Sequence, residues 1–343
     1  MRKGPAVFLS LALALVAASA RAERLEIIWP TPNTAYFEGK SISDFVQPTA
    51  SGEPESGLFG CHRTNGAQFH EGVDLKPVKR DRHGEPIDPI FVVMPGTVRH
   101  INRVPGDSNY GRYIVVEHGG VTPAIYTLYA HLSAIAEGLK AGDSVERGQT
   151  IATMGRSSSG LAIPKDRAHL HFEVGVMLTR QFQSWYDWKK FGSRNDHALW
   201  NGMNLLGFDP LEFYDAFRAR RVDDFQGYFG HMQTAVKLRI ATRTTPDYAE
   251  RYPSLVSGPL PAGGIAGWEV KFNEMGLPFA WTPLSAMDLL GYRPDEIRVI
   301  EVNEPILKSH RCKSLVFSKR GSYAIGKDLD MVLQLLFGFR KEL

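Results

Sequence analysis

The stretch Ala168-His-Leu-His-Phe-Glu-Val-Gly-Val176 combines a strand pattern with three chemically active side chains. Apolar residues alternate there with His169, His171 and Glu173. A period of two predicts a half-buried strand, with both imidazoles on one face and their attachment points about 6.6 Å apart. Imidazoles presented in this way suit a metal ion or a proton transfer. The pair alone also fits two ordinary structural histidines, so other residues must decide.

Upstream of this strand, the chain has the spacing of short strands and turns that is typical of all-β domains. β-Branched and aromatic runs, separated by glycine and proline, occupy residues 91–94, 113–116, 124–132 and 149–154. We therefore expect a mainly β domain, with the histidine strand over residues 169–176.

The sequence after this domain has a different pattern. Asp209-Pro210 predicts a helix over residues 211–221, because Asp can cap it and proline suits its first turn; Thr282-Pro283 predicts another over 284–290. Residues 298–302 and 314–317 have strand patterns, and 328–336 form an amphipathic helical pattern. We therefore expect a smaller α+β region, to which the sequence assigns no function.

The chain has 343 residues, of which 43% are hydrophobic and 22% charged, as in globular proteins of about two domains. Residues 1–22 have a basic start, an apolar run and a small-residue cleavage site at Ala20-Arg21-Ala22, which predicts a secretory signal peptide. The expected organisation is completed by an N-terminal segment over 23–57, the β domain over 58–220 and the α+β region over 221–343.

The charge balance excludes two classes of partner. The chain has 40 Lys+Arg against 37 Asp+Glu, and three of the basic residues, Arg2, Lys3 and Arg21, lie in the predicted signal peptide. The near-neutral remainder gives no electrostatic reason to bind nucleic acid or an anionic membrane. No later apolar run approaches the ~20 residues of a membrane span. We therefore expect a soluble protein exported to the periplasm or the medium, and the sequence does not set its oligomeric state.

The two cysteines, Cys61 and Cys312, have two readings. In an oxidising compartment thiols tend to pair, and this pair would join the first domain to the tail. Each could equally be a buried apolar thiol.

Two further motifs carry possible ligands. His70 and Asp74 are four residues apart and share one face of an extended or a helical segment. One imidazole and one carboxylate suit Zn²⁺, and two or three such ligands plus a water make an open catalytic site. His131 ends an alternating stretch on the side of Thr127 and Tyr129, and it could be a ligand, a general base or a core histidine.

The motifs occur in a set order along the β domain, with glycine turns between the second and the third. They read His70-x-x-x-Asp74, Tyr129-Ala-His131-Leu132 and His169-Leu-His171-Phe-Glu173, with Gly138-x-x-Ala141-Gly142-Asp143-x-Val145 and Gly148-Gln149-x-Ile151 as the turns. Over about residues 57–177 this set resembles the lysostaphin/LytM-type zinc metallopeptidases, peptidase family M23. The resemblance implies an antiparallel-sheet, barrel-sandwich-like domain with a substrate groove.

The resemblance also implies the roles of single residues. His70, Asp74 and His171 correspond to the ligands of one Zn²⁺ per chain, and His131 and His169 to the catalytic pair. The implied function is an exported zinc endopeptidase that hydrolyses peptide cross-links or stem peptides of bacterial peptidoglycan. It would use a zinc-bound water with histidine acid/base assistance.

Two other functions fit these residues less well. A catalytically silent member of the same fold, which binds the wall or activates another hydrolase, would be expected to have lost ligands, whereas all five residues are present. A biotinyl or lipoyl carrier module would need a lysine in the turn after 141–151, and residues 141–164 contain none.

The sequence also predicts the positions or roles of several residues near the motifs. Glu173 could orient an imidazole or be a solvated strand carboxylate, and Glu71 should point away from His70 in an extended segment. Loops 79–88 and 157–168 look longer than in the family and should wall the groove. An aromatic cluster could stack on substrate or pack between domains; its members are Phe182, Trp185, Tyr186, Trp188, Phe191 and Trp200.

Overall fold

The structure is a computed structural model that describes residues 24–340, so the predicted signal peptide lies outside the described residues. Up to residue 209 the elements are, in chain order, α1 (Ile42–Phe45), β1 (Gly60–Arg63), β2 (Gln68–His70), β3 (Val73–Leu75), β4 (Pro89–Phe91), β5 (Gly96–Asn102), β6 (Tyr113–His118), β7 (Ile125–Ala130), β8 (Ala134–Ile135), β9 (Ser144–Val145), β10 (Thr150–Thr153), β11 (Leu170–Met177), α2 (Phe182–Lys189) and β12 (Leu205–Phe208). The remaining elements are α3 (Pro210–Arg218), α4 (Phe225–His231), β13 (Val236–Ile240), α5 (Asp247–Arg251), β14 (Gly267–Phe272), β15 (Pro278–Leu284), β16 (Ile297–Val302), α6 (Glu304–Ser309), β17 (Val316–Lys319), β18 (Ser322–Ile325) and α7 (Lys327–Phe337).

The main sheet is antiparallel and has seven strands in the order β12-β11-β7-β6-β5-β9, with β3 paired to β11 beside that path. β3 pairs with the first half of β11 and β12 with its second half, so these two short strands share one edge of β11. This register places Asp74 directly opposite His171. The predicted mainly β, antiparallel fold of the first domain is confirmed.

Strand β11 is buried on both faces, whereas its alternation predicted a half-buried strand. Phe172 and Val174 point into the main core. On the opposite face, Met177 packs with Trp200 and Leu205 in a second apolar cluster. The prediction was wrong because segments remote in sequence cover the polar face.

The C-terminal region is built on a four-stranded antiparallel sheet in the order β15-β14-β13-β16, and helix α7 follows it. The prediction of a helix over 284–290 was wrong. Thr282 and Pro283 lie inside strand β15, and only residues 287–289 form a single 3₁₀ turn. Proline fits here because β15 is an edge strand, where a missing N–H group leaves no partner unpaired.

Two connections fix the C-terminal region to the first domain. Cys61 and Cys312 form a disulfide with a Cα–Cα distance of 5.6 Å, which decides between the two readings of the cysteines. In the second connection, the indole Nε1 of Trp185 in α2 donates to Oε1 of Gln334 in α7 over 3.1 Å. Trp185 and its neighbour Phe182 are buried, so this part of the aromatic cluster packs the junction.

The N-terminal segment supports the strand that carries Asp74. Val46 forms a β-bridge with Leu75, and the backbone N–H of Gln47 donates to the carbonyl of Asp74 over 2.8 Å. On the other side of the bridge, the N–H of Lys76 donates to the carbonyl of Phe45 over 2.9 Å. Since β3 has only three residues, these bonds help to hold its register.

Within residues 24–340, none of the helices has the length and apolar character needed to cross a bilayer.

Candidate metal centre

Three side-chain atoms from β2, β3 and β11 converge in the interior of the first domain. Nε2 of His70 lies 3.0 Å from Nδ1 of His171 and 3.1 Å from Oδ1 of Asp74, and the last two atoms are 3.0 Å apart. All three residues are buried. His70 ends β2, Asp74 is central in β3, and His171 lies opposite it in β11.

Each of the two imidazoles, His70 and His171, also forms a hydrogen bond on the side that faces away from the cluster. These bonds decide which ring nitrogen can act as an acceptor toward the cluster. Nδ1 of His70 donates to the carbonyl of Leu58 over 2.7 Å, and Nε2 of His171 donates to Oε1 of Glu173 over 2.9 Å. A carbonyl and a carboxylate oxygen can only accept, so the hydrogen of each neutral ring is on this outer nitrogen. With both rings neutral, as zinc ligands must be, the two inner nitrogens and Oδ1 of Asp74 present lone pairs to one another.

This arrangement fits a zinc ion. Facing lone pairs repel unless a cation or a proton lies among them, and two imidazoles with one carboxylate are a common donor set for catalytic zinc. At Zn–ligand bonds of about 2.0–2.1 Å, atoms in a tetrahedral site are about 3.3 Å apart. The three distances here are a few tenths of an ångström shorter, so a small outward shift of the side chains would complete the site.

Behind His171, the Glu173 carboxylate is buried and fully partnered. Its Oε1 accepts from the hydroxyl of Tyr110 over 2.6 Å as well as from His171, and its Oε2 accepts from Tyr126 over 2.9 Å. Only 1% of Glu173 is exposed. Of its two predicted roles, the structure shows the one in which it orients an imidazole, and such a partner raises the basicity of a ligand.

Asp74 is held from the other side by an arginine. Nη2 of Arg63 lies 2.6 Å from Oδ2 of Asp74, which leaves Oδ1 for the cluster. Burial alone would raise the pKa of the Asp74 carboxyl, but the imidazoles of His169, His70 and His171 outweigh it and hold that pKa well below its usual value.

His131 and His169 lie beside the cluster, with their ring centroids 4.7 Å apart. Nδ1 of His131 donates to the carbonyl of Ser157 over 2.8 Å, and Nδ1 of His169 to that of Arg167 over 2.7 Å. Each ring therefore turns Nε2 inward. Nε2 of His169 is buried without a hydrogen-bond partner and lies 3.4 Å from Oδ1 of Asp74.

The expected side of His131 was wrong. Strict alternation would place it with Thr127 and Tyr129, in or against the main core. However, β7 ends at Ala130, and His131 adopts a φ of 61°, in the left-handed region. This turn brings its ring to the face of His171, at a centroid distance of 5.9 Å. A left-handed conformation at a non-glycine residue is strained and is often found at functional sites.

Both of these histidines are unprotonated at neutral pH. Burial lowers the pKa of His169, and the Asp74 carboxylate only partly offsets this. Burial, together with the imidazoles of His169 and His171, holds the pKa of His131 well below its usual value. Each ring is therefore neutral near pH 7 and presents an unprotonated Nε2.

His171 of the cluster lines a groove of about 590 Å³, which is in the range of ligand sites. Its walls include His131, Tyr110 and the exposed Glu71. The prediction that loops 79–88 and 157–168 wall this groove was wrong. Glu85 pairs with Arg156 and the loops bind one another instead, beside a separate pocket of about 310 Å³.

The residues that support the ligands carry no recognisable signal in the sequence. Arg63, Tyr110 and Tyr126 belong to no recognisable motif, and their contacts with Asp74 or Glu173 span 11 to 63 residues of chain. The one general indication is that a buried carboxylate needs hydrogen-bond donors.

Residues 68–182, which carry all five predicted site residues, match the family described as Peptidase family M23. These residues belong to peptidase family M23. The domain that they form is therefore of a zinc-dependent metalloendopeptidase family. A search of curated proteins finds no match to the chain.

Solved structures similar to the M23 domain include three bacterial peptidases. The catalytic domain of lysostaphin from Staphylococcus simulans is 20% identical over 51% of this chain and 95% of its own, with a TM-score of 0.29. A putative glycyl-glycine endopeptidase LytM from Ruminococcus gnavus is 21% identical over 46% and 49%, with a TM-score of 0.27. A zinc-containing peptidase from Vibrio cholerae is 25% identical over 45% and 34%, with a TM-score of 0.24. At these scores the resemblance to each structure adds nothing to the family match.

Proposed function

We propose that the protein is an exported zinc endopeptidase that hydrolyses peptide cross-links or stem peptides of bacterial peptidoglycan. In this proposal His70, Asp74 and His171 hold one Zn²⁺, and His131 and His169 are the catalytic pair. The observation that carries it is the convergence of three ligand atoms beside two neutral imidazoles, where His131 and His171 line an open groove.

The ligand set would hold the ion by two neutral donors and one charged donor. When bound, zinc supplies Lewis acidity, which polarises a carbonyl oxygen and makes a water molecule more acidic. Arg63 and Glu173 keep the ligands in place, because each binds the side of a ligand that faces away from the cluster.

The catalytic pair would handle the protons. Peptide hydrolysis requires a base that takes a proton from the attacking water and an acid that gives one to the departing amine. The inward Nε2 atoms of His131 and His169 can accept because their Nδ1 hydrogens are bound to backbone carbonyls. A ring protonated in the first step then carries the proton needed in the second.

The first experiment is digestion of purified peptidoglycan by the zinc-loaded protein without residues 1–22. We expect new free amino groups, and mass spectrometry of the released fragments will identify the bond. His131→Ala should bind zinc but release few amino groups, whereas His83→Ala, at an exposed histidine outside the site, should behave as the wild type. Wild-type protein that is folded and zinc-bound but releases nothing would contradict the proposal and favour a silent wall-binding protein.

Export rests on the predicted signal peptide and is tested separately. The expected result is that protein recovered from the periplasm or the medium begins at about residue 23, as measured by N-terminal sequencing. Recovery from the cytoplasm with residues 1–22 intact would contradict it.

A further inference from the structure

The C-terminal region, which the sequence left without a function, supplies part of the wall of the catalytic groove. Lys313, Met331 and Val332 line the same groove of about 590 Å³ as His131 and His171. A substrate in this groove therefore touches both regions of the chain. Lys313 is the residue among them that can recognise a charged group.

The ammonium group of Lys313 is held in place by an aromatic ring but has no carboxylate partner. Its Nζ lies 4.0 Å from the ring centroid of Phe69, in a cation–π contact. Among residues 24–340, no carboxylate oxygen lies within 4.0 Å of this nitrogen. Two acidic side chains, Asp328 and the exposed Glu71, attract the Lys313 ammonium group by charge. The Asp328 carboxylate also accepts from the backbone N–H of Ser314. Burial lowers the pKa of Lys313, so water solvates its charge poorly.

The other cation on the groove wall is already occupied. Arg63 also lines the groove, but its Nη2 is bound to Asp74 over 2.6 Å. A negatively charged group that enters the groove therefore finds its free partner at Lys313.

The position of Lys313 relative to the metal ligands is fixed by covalent and backbone connections. Its neighbour Cys312 is bonded to Cys61 in β1, and β1 pairs with β2 so that Gly60 lies opposite His70. On the other side, Leu315 is buried in the core. The disulfide and the buried Leu315 therefore hold Lys313 close to β2, the strand that ends at the ligand His70.

We propose that Lys313 forms a carboxylate-binding subsite, which selects peptide substrates with a free carboxylate a few residues from the cleaved bond. This inference rests on the proposed peptidase function and adds a substrate preference to it. An ammonium group that is partly desolvated gains most from an anion that replaces its lost water. Two sources offer this group in a peptide: the C-terminal carboxylate and the carboxylate of an internal glutamyl residue.

The test compares three forms of one synthetic peptidoglycan stem peptide: both carboxylates free, the C-terminal one amidated, and the internal glutamyl one amidated. With the zinc-loaded wild type, amidation at the recognised position should lower kcat/KM about tenfold or more, mainly through KM, and amidation at the other position should have little effect. Lys313→Met should remove this preference, so that the three peptides are hydrolysed with similar kcat/KM. Lys313→Arg should retain most of it, and Lys319→Met, at an exposed lysine of the same region, should leave it unchanged.

The subsite is overturned if the wild type cleaves all three peptides equally, or if Lys313→Met keeps the preference. Thermal unfolding of each variant shows whether Lys313→Met is folded. If the wild type cleaves no peptide, the proposed function fails, and the subsite is then judged by binding alone. In that case, calorimetry with zinc-loaded His131→Ala should still show tighter binding of the free-carboxylate peptide than of one amidated form, and equal binding would exclude the subsite.

Discussion

Glu173→Gln changes the charge behind His171 with little change in shape. The carboxylate of Glu173 accepts three hydrogen bonds, two at Oε1 and one at Oε2. A glutamine can keep its oxygen at the Oε1 position and turn its NH₂ group toward Tyr126. The Tyr126 hydroxyl can then rotate and accept, so every polar group keeps a partner.

The expected loss is in zinc affinity. The charge of Glu173 makes the His171 imidazole a stronger donor, and partners of this kind contribute about 10–100-fold to metal affinity. That range corresponds to about 1.4–2.7 kcal/mol. Tyr126→Phe is the matched control, because it removes one hydrogen bond from Oε2 and keeps the charge and the His171 contact. It should cost about 1 kcal/mol of folding stability and change zinc affinity little.

The assay is a zinc titration of the metal-free proteins against a chromophoric chelator, with circular dichroism and thermal unfolding to check that each variant is folded. If Glu173→Gln binds zinc as tightly as the wild type, Glu173 does not tune the ligand. If Tyr126→Phe lowers the zinc affinity as much as Glu173→Gln does, packing rather than charge accounts for the loss of affinity.

Three further outcomes follow from the site. Glu71→Ala should retain peptidoglycan hydrolysis, because Glu71 is exposed and outside the ligand cluster, whereas His131→Ala should lose about 10²–10⁴ in rate; the reverse pattern would show that the roles are misassigned. Gly72→Ala should lower the melting temperature and weaken zinc binding, since its Cβ would lie 2.4 Å from the carbonyl oxygen of Phe172; Gly120→Ala, which meets nothing within 4 Å, is the control, and equal melting temperatures would refute the clash. Chelation should stop hydrolysis and lower the melting temperature, and re-added zinc but not magnesium should restore both; activity that survives complete chelation would contradict a zinc site.

The sequence was sufficient where a local pattern decides the structure. The alternation around His169 and His171 predicted a strand with both rings on one face, and both rings do contact Asp74. The amphipathic pattern over 328–336 predicted a helix, and α7 spans Lys327–Phe337. In each case the apolar spacing of one short segment matches the face that it buries.

The sequence was insufficient where a single backbone angle or a distant segment decides. Alternation placed His131 with Tyr129, but a left-handed φ at the end of β7 turns it to the other face. The Thr282-Pro283 pair resembles a helix start, yet pairing with β14 draws it into a strand. The cover of β11 and the place of Lys313 beside the groove depend on packing between regions far apart in sequence.

The charges around the metal site favour a cation, and this leads to a last prediction. Of the two buried carboxylates, Asp74 pairs with Arg63, and among the described residues no other arginine or lysine nitrogen lies within 4.0 Å of Asp74 or Glu173. The two carboxylates therefore carry one more negative charge than this arginine balances. In the metal-free protein His171 supplies the balancing positive charge: burial opposes its charge, but hydrogen bonds to Asp74 and Glu173 outweigh burial and raise its pKa to about 9.

Zinc and this proton compete for Nδ1 of His171, so zinc binding at pH 7.5 should release about one proton. Below pH 9 the apparent zinc affinity should therefore fall about tenfold for each unit of pH, because the proton is bound more fully as the pH decreases. Calorimetric titrations in two buffers of different ionisation enthalpy measure the number released. Glu173→Gln should release less, since it removes the negative charge of Glu173, which helps to raise this pKa. Zinc binding without proton release would show that His171 is already neutral in the metal-free protein and that the balancing charge is supplied elsewhere.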